Sequence, residues 1–145
     1  MELDETVAER IDLLAEEGNA LLDGQGDWRG AIEVCDKALG MLPEPDTQWP
    51  QAVWLYASIG SAWLEGGDRD NAAQAFDNAY RSEDGHLNPF VLLSLGSLFR
   101  GRDDDAAIQL LLRAYMLEGG GIFSDGNEAD LKFLAAHVDL TRPAA

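Results

Sequence analysis

A single cysteine, two histidines and 10 Lys or Arg side chains are all that 145 residues contain of these types, and each shortage removes a class of function. One cysteine, Cys35, forms no internal disulfide, and with His86 and His137 not spaced as a metal pair it assembles no zinc site. Cys35 falls where a buried helix face asks for a small or medium apolar group, so it reads as a core residue suited to a reducing compartment. The few cations face 27 carboxylates, which leaves a formal charge of -17. Backbone phosphates and anionic membranes need Lys and Arg, so this field excludes nucleic acid and acidic lipid as partners and attracts basic ones. Long apolar runs are missing as well. The stretches Ala52 to Ile59 and Phe90 to Leu95 are too short to span a bilayer, and the start Met1-Glu2-Leu3-Asp4-Glu5 lacks the basic residues of a secretory signal, so a cytoplasmic protein is expected. A hydrophobic content of 46% still supplies the core of a single domain over residues 1–145.

Signatures of catalysis are scarce too. The chain shows no Ser-His-Asp order, nucleophile elbow or phosphate-cradling loop. Asp23-Gly24-Gln25-Gly26-Asp27 and Asp125-Gly126-Asn127-Glu128 look like calcium loops, but neither places a glycine and a distant Glu where that site needs them. Asp103, Asp104 and Asp105 sit at a helix start, where the dipole favours carboxylates without any metal. No catalytic, metal or cofactor site is expected, and both histidines read as surface or half-buried side chains.

What the chain does have is a repeat. Gly18 is followed by Ala31, Cys35 and Ala38; Gly60 by Ala72, Phe76 and Ala79; Gly96 by Ala107, Leu111 and Ala114. A unit of this length is a helical hairpin that cannot bury its own apolar face and must stack on neighbours. Apolar residues recur at three and four residue steps in seven segments, which predicts seven helices and no strand. The first runs from about Asp4 to Leu22 and stops at Gly24-Gln25-Gly26, where glycine allows a left-handed closing residue. Asp27 caps the second, which ends near Met41 before Pro43 and Pro45. Asp46 or Thr47 starts the third, with Pro50 in its first turn. Arg69 to about Arg81 makes the fourth, Asn88-Pro89 opens the fifth, Asp103 to Glu118 holds the sixth, and Asn127 to Val138 the seventh.

The second unit carries Tyr56, Ile59, Gly60, Trp63, Gly67-Asp68, Ala72, Phe76 and Ala79 at spacings that resemble a tetratricopeptide repeat, lacking its closing proline. The first is similar through Gly18, Leu21, Gly26-Asp27-Trp28, Ala31, Ala38 and Pro43, with one extra turn residue; the third through Leu92, Leu95, Gly96, Phe99, Ala107, Leu111 and Ala114, with one fewer. Small residues let paired helices approach closely, and large ones fill the gaps that remain. The resemblance implies an all-α, right-handed solenoid of three hairpins, over about 4–42, 47–81 and 88–118, with a capping helix at 127–138. The glycines are 42 and 36 residues apart, longer than the family's usual interval, so the linkers Pro43 to Trp49 and Ser82 to Leu87 are expected to bulge from the stack.

In this family the first helix of each pair lines a concave groove. That mapping implies Asp12, Asn19, Leu22 and Asp23 from the first unit, Trp54, Ala57, Ser61, Leu64 and Glu65 from the second, and Phe90, Leu93, Ser97 and Arg100 from the third. Trp54 and Phe90 among acids suit an apolar or basic peptide or helix, unless they pack against neighbouring helices or linkers. Co-chaperones of this fold clamp acidic tails with Lys, Asn and Arg. Here only Asn19 matches, beside Ala15, Ser58, Phe90 and Ser94, so a terminal carboxylate finds no charge-assisted partner. Residues 1–50 hold 13 acidic against 3 basic groups, whereas 51–100 hold 6 against 3, which makes the first helices either a docking face or a solubilising one. The stretches Leu42-Pro43-Glu44-Pro45, Trp54 to Gly60, Asn88-Pro89-Phe90 and Leu112 to Glu118 also resemble short bacterial repeat proteins associated with toxin genes, which implies an immunity-like role; the alternative is a general adaptor that binds an extended peptide.

Overall fold

The computed structural model describes residues 2–124 and 126–140, so Met1 and Asp125 of the sequence reading lie outside the described residues. Among these are seven α-helices, three short 3-10 turns and no strand. The helices are α1 (Glu5–Gln25), α2 (Trp28–Gly40), α3 (Pro50–Glu65), α4 (Arg69–Arg81), α5 (Pro89–Phe99), α6 (Asp104–Glu118) and α7 (Glu128–His137). They form two compact units divided between His86 and Leu87. The first unit holds the hairpins α1/α2 and α3/α4, with α2 also packed on α3, and the second holds the hairpin α5/α6 with α7 against α6.

All three hairpin turns are built the same way although they differ in length. Gly26 at φ 65° closes α1, its N–H reaching the Leu22 carbonyl at 3.1 Å while Asp27 N–H reaches Leu21 at 2.9 Å. The Asp27 carboxylate then accepts the Gly30 N–H at 2.9 Å and opens α2. Gly67 at φ 82° and Asp68, which accepts from Asn71 N–H at 3.0 Å, repeat the device. Gly101 at φ 87° and Asp103, accepting from Ala106 N–H at 3.1 Å, repeat it again. Glycine supplies the left-handed residue and aspartate satisfies an orphan N–H, so the extra or missing residue is taken up at the helix ends. Thus α1 continues to Gln25, past the expected stop near Leu22.

Two expectations need correction. The third helix starts at Pro50, because the pyrrolidine ring holds the preceding Trp49 extended at φ -105° and ψ 135°; Asp46–Gln48 forms a separate 3-10 turn. The linkers stand out only in part: Pro43, Glu44 and Pro45 in the first and Glu83, Asp84, His86 and Leu87 in the second are exposed, but the residues around them are anchored. Leu42 and Trp49 are buried in the first unit's core, and the Trp49 indole N–H donates to the Pro43 carbonyl at 2.8 Å. Tyr56 O–H donates to Asp46 at 2.7 Å, and Glu83 N–H joins the second linker to the first through the Thr47 carbonyl at 2.8 Å. Ser82 is buried with its O–H on the Asn78 carbonyl at 2.8 Å, and a Cβ on Gly85 would overlap the Ala79 carbonyl oxygen. The surplus residues are enough to close turns and bury an indole, which gains more than a solvated loop would.

The repeat glycines are seats for the large residue of the same unit. A Cβ on Gly18 would stand 2.9 Å from Cys35 Sγ, one on Gly60 2.7 Å from the Phe76 ring, and one on Gly96 2.7 Å from a Leu111 methyl. Cys35, Phe76 and Leu111 are fully enclosed, flanked by Ala31 and Ala38, Ala72 and Ala79, and Ala107 and Ala114, all buried. In the second unit Leu93, Leu111, Phe123 of the 3-10 turn Gly120–Phe123 and Leu134 of α7 make one cluster, so α7 closes that hairpin.

Candidate interaction surface

In the first unit the two leading helices are tied side by side: Ser58 Oγ of α3 donates to Asn19 Oδ1 of α1 at 3.3 Å. Around this bond the sequence-selected residues divide. Asp12, Asn19, Asp23 and Glu65 are exposed, Leu22 and Ser61 are half-buried, and Ala57 is closed off as a packing residue. Trp54 is 58% exposed and Leu64 39%, the large apolar groups that α3 leaves open to solvent. Gln51 Oε1, one turn before Trp54, is enclosed and has no hydrogen-bond donor.

In the second unit, α5 presents Phe90 at 43% exposure and a half-buried Ser97. Leu93 belongs to the core with Phe123 and Leu134, and Arg100 points its Nε to Asp130 of α7 at 3.5 Å. Asp130 is only 3% exposed, and its Oδ1 meets this cation without a well-formed hydrogen bond. Neither the buried pairing of Arg100 nor the burial of Leu93 was legible, because both depend on where α7 lands.

Burial and local hydrogen bonds account for the shifted titration of the remaining groups. Burial, reinforced by the neighbouring Asp36 charge, pushes the Cys35 thiol up to about 11, so it stays protonated and unreactive. Asp36 is itself held above the usual carboxylate range by burial. Tyr56 is pushed up by burial first and then by its bond to Asp46, whereas Asp68 is held low by the N–H groups of Asn71. His86 and His137 are exposed; the Nδ1 of His137 lies 2.8 Å from the Phe133 carbonyl. Among the described residues no three His, Cys, Asp or Glu side chains gather as a metal site, and no helix is long and apolar enough to cross a membrane.

One surface escaped the sequence reading. Leu87, Gln109, Leu112, Arg113, Met116 and Leu117 line an open hollow of about 610 Å³ in the second unit, with Met116 64% and Leu117 46% exposed. The signal was present in α6, where Leu110-Leu111-Leu112 and Met116-Leu117 supply more apolar groups than one buried face uses.

No family model matches the sequence, and no curated protein matches it either. Among solved structures the chain is similar to the Arabidopsis OM64 TPR domain, with a TM-score of 0.68 and 20% identity over 91% of this chain and 99% of that one. The fold is therefore tetratricopeptide-like and all-α, as the repeat implied. At this identity the likeness speaks for the fold alone.

Proposed function

We propose that the chain is a single-domain, non-catalytic protein-interaction scaffold whose partner is basic and is bound through the exposed faces of α1 and α3. The observation that carries this reading is Trp54, left 58% exposed on a helix with no Lys or Arg, beside a helix whose exposed side is acidic. A solvated indole is retained at a cost unless something covers it, and aromatic anchors dominate the energetics of interfaces. The finer form of the proposal is an immunity-like protein, one that occupies the basic cleft of a single folded partner. Acidic steering then supplies speed, and the buried indole supplies residence time. The support for it is the charge of -17 together with the resemblance noted in the sequence.

The test is capture of partners from the native cell, identification of the bound protein, and measurement of its affinity across salt. An immunity-like partner is a folded basic protein whose affinity falls steeply with salt and suffers more from reversal of the α1 carboxylates than from Trp54→Ala. A bound extended segment, with Trp54→Ala and Phe90→Ala dominant and little salt response, would establish the adaptor instead.

A further inference from the structure

The exposed side of α1 is ordered. Glu5, Glu9, Asp12, Glu16, Asn19 and Asp23 follow at steps of 4, 3, 4, 3 and 4 residues and all are exposed, so they form one stripe along the helix. At ~1.5 Å per residue the stripe runs for about 27 Å. No ion pair reaches its five carboxylates among the described residues, and Arg10, the helix's one cation, lies well round the cylinder from them. Like charges one turn apart weaken a helix, so the stripe is not there for α1's own stability. What marks the face as a docking surface is the indole beside it. The Asn19–Ser58 bond puts the turn of α1 around Glu16 level with the turn of α3 that carries Trp54.

We infer that the partner engages this face with an α-helix whose Arg and Lys side chains recur every three and four residues, laid along α1 with one guanidinium over Trp54. The inference rests on the proposed basic partner and deepens it. Register decides for a helix. Carboxylates on α1 recur every ~5 Å, the spacing of cations on one face of a second helix, whereas same-side residues of an extended chain recur every ~6.6 Å and lose step within a few contacts. Arginine suits the indole because its planar guanidinium stacks on aromatic faces and still offers donors to carboxylates. A second copy of this chain does not fit, since none of its helices carries such a basic stripe and two copies repel at -17 each.

The experiment uses two synthetic peptides of identical composition, as long as α1, titrated into the whole protein. One places its Arg residues on a single helical face at three and four residue steps; the other spreads them around the helix. The one-face peptide is expected to bind roughly tenfold tighter, about the effect of a few exposed ion pairs, and to gain helical circular dichroism on binding. Asp12→Lys with Glu16→Lys abolishes that advantage, whereas Glu17→Lys with Glu33→Lys, the same charge change off the stripe, leaves it. Equal affinity of the two peptides overturns the helical register while the basic-partner reading survives. Binding of neither peptide overturns both.

Discussion

Residues 1–86 carry 19 acidic and 5 basic side chains, while residues 87–145 carry 8 and 5, yet the two units build the same hairpin. Gly60 against Phe76 in the first and Gly96 against Leu111 in the second make the same close approach, between turns closed by the same Gly and Asp device. The hairpin is thus indifferent to what its outer faces carry, because glycine seats and caps act through contacts that surface charge does not touch. The first unit spends that freedom on carboxylates and an open indole, the second on an apolar hollow around Met116. Surface composition that folding does not require points to use.

The comparison can be broken most sharply in the cores. Phe76→Ala should cost about 3–5 kcal/mol and Leu111→Ala about 2–5 kcal/mol. All four tryptophans, Trp28, Trp49, Trp54 and Trp63, lie in the first unit, so their fluorescence during urea unfolding reads that unit alone. Phe76→Ala should lower the midpoint of this signal by more than Leu111→Ala does; equal shifts would mean that the two units unfold together. A smaller effect is expected at the pair in the second unit. Arg100→Met strands the Asp130 carboxylate, 3% exposed, and should cost about 1–3 kcal/mol, discounted because the arginine is partly in water. Hydrogen exchange in α7 should accelerate, and Asp130→Leu should accelerate it less; the reverse order would show that the carboxylate is not held by Arg100.

The smallest effect is alkaline. The Cys35 thiol moves from 9.0 up to about 11, and Tyr56 is raised from 10.0, so the folded chain holds both protons more tightly than the unfolded one. The thiol's contribution is complete below pH 9.0, its unfolded value, and is lost as pH rises through its folded value of about 11, while that of Tyr56 begins to fall only above 10.0, its own unfolded value. Thermal unfolding followed by tryptophan fluorescence should therefore weaken between those values, and Cys35→Ala with Tyr56→Phe should flatten the response. If exchange in α5 and α6 weakens equally over the same range, the effect belongs to no single unit.

Much of this was readable beforehand. The recurrence of Gly18 with Cys35, Gly60 with Phe76 and Gly96 with Leu111 was visible as spacing, and the packed hairpins show that each glycine seats the large residue of its own unit. Pro50 does stand in the first turn of α3, but as its first residue, and sequence alone does not say whether Asp46 and Thr47 before it join that helix or, as here, form a separate turn ahead of an extended Trp49. The linkers misled because their length was visible but the Trp49 bond to Pro43 and the Tyr56 bond to Asp46 join segments that meet only after α3 is packed. Of the site, the acidity of α1 and the place of Trp54 on α3 were legible. That Trp54 remains open while Leu93 is enclosed was not, because exposure depends on neighbours contributed by other helices.

Local chemistry, by itself, determined the seven helices, their caps and the recurring spacing of glycine and alanine, since each is settled by residues a few turns apart. Tertiary structure decided what covers what: the buried linker tryptophan, the closing of α5 and α6 by α7, the Arg100 to Asp130 pair, and the indole beside a carboxylate stripe. Those outcomes depend on which surfaces of distant segments come together, and burial, unlike helical period, is a property of the whole packing.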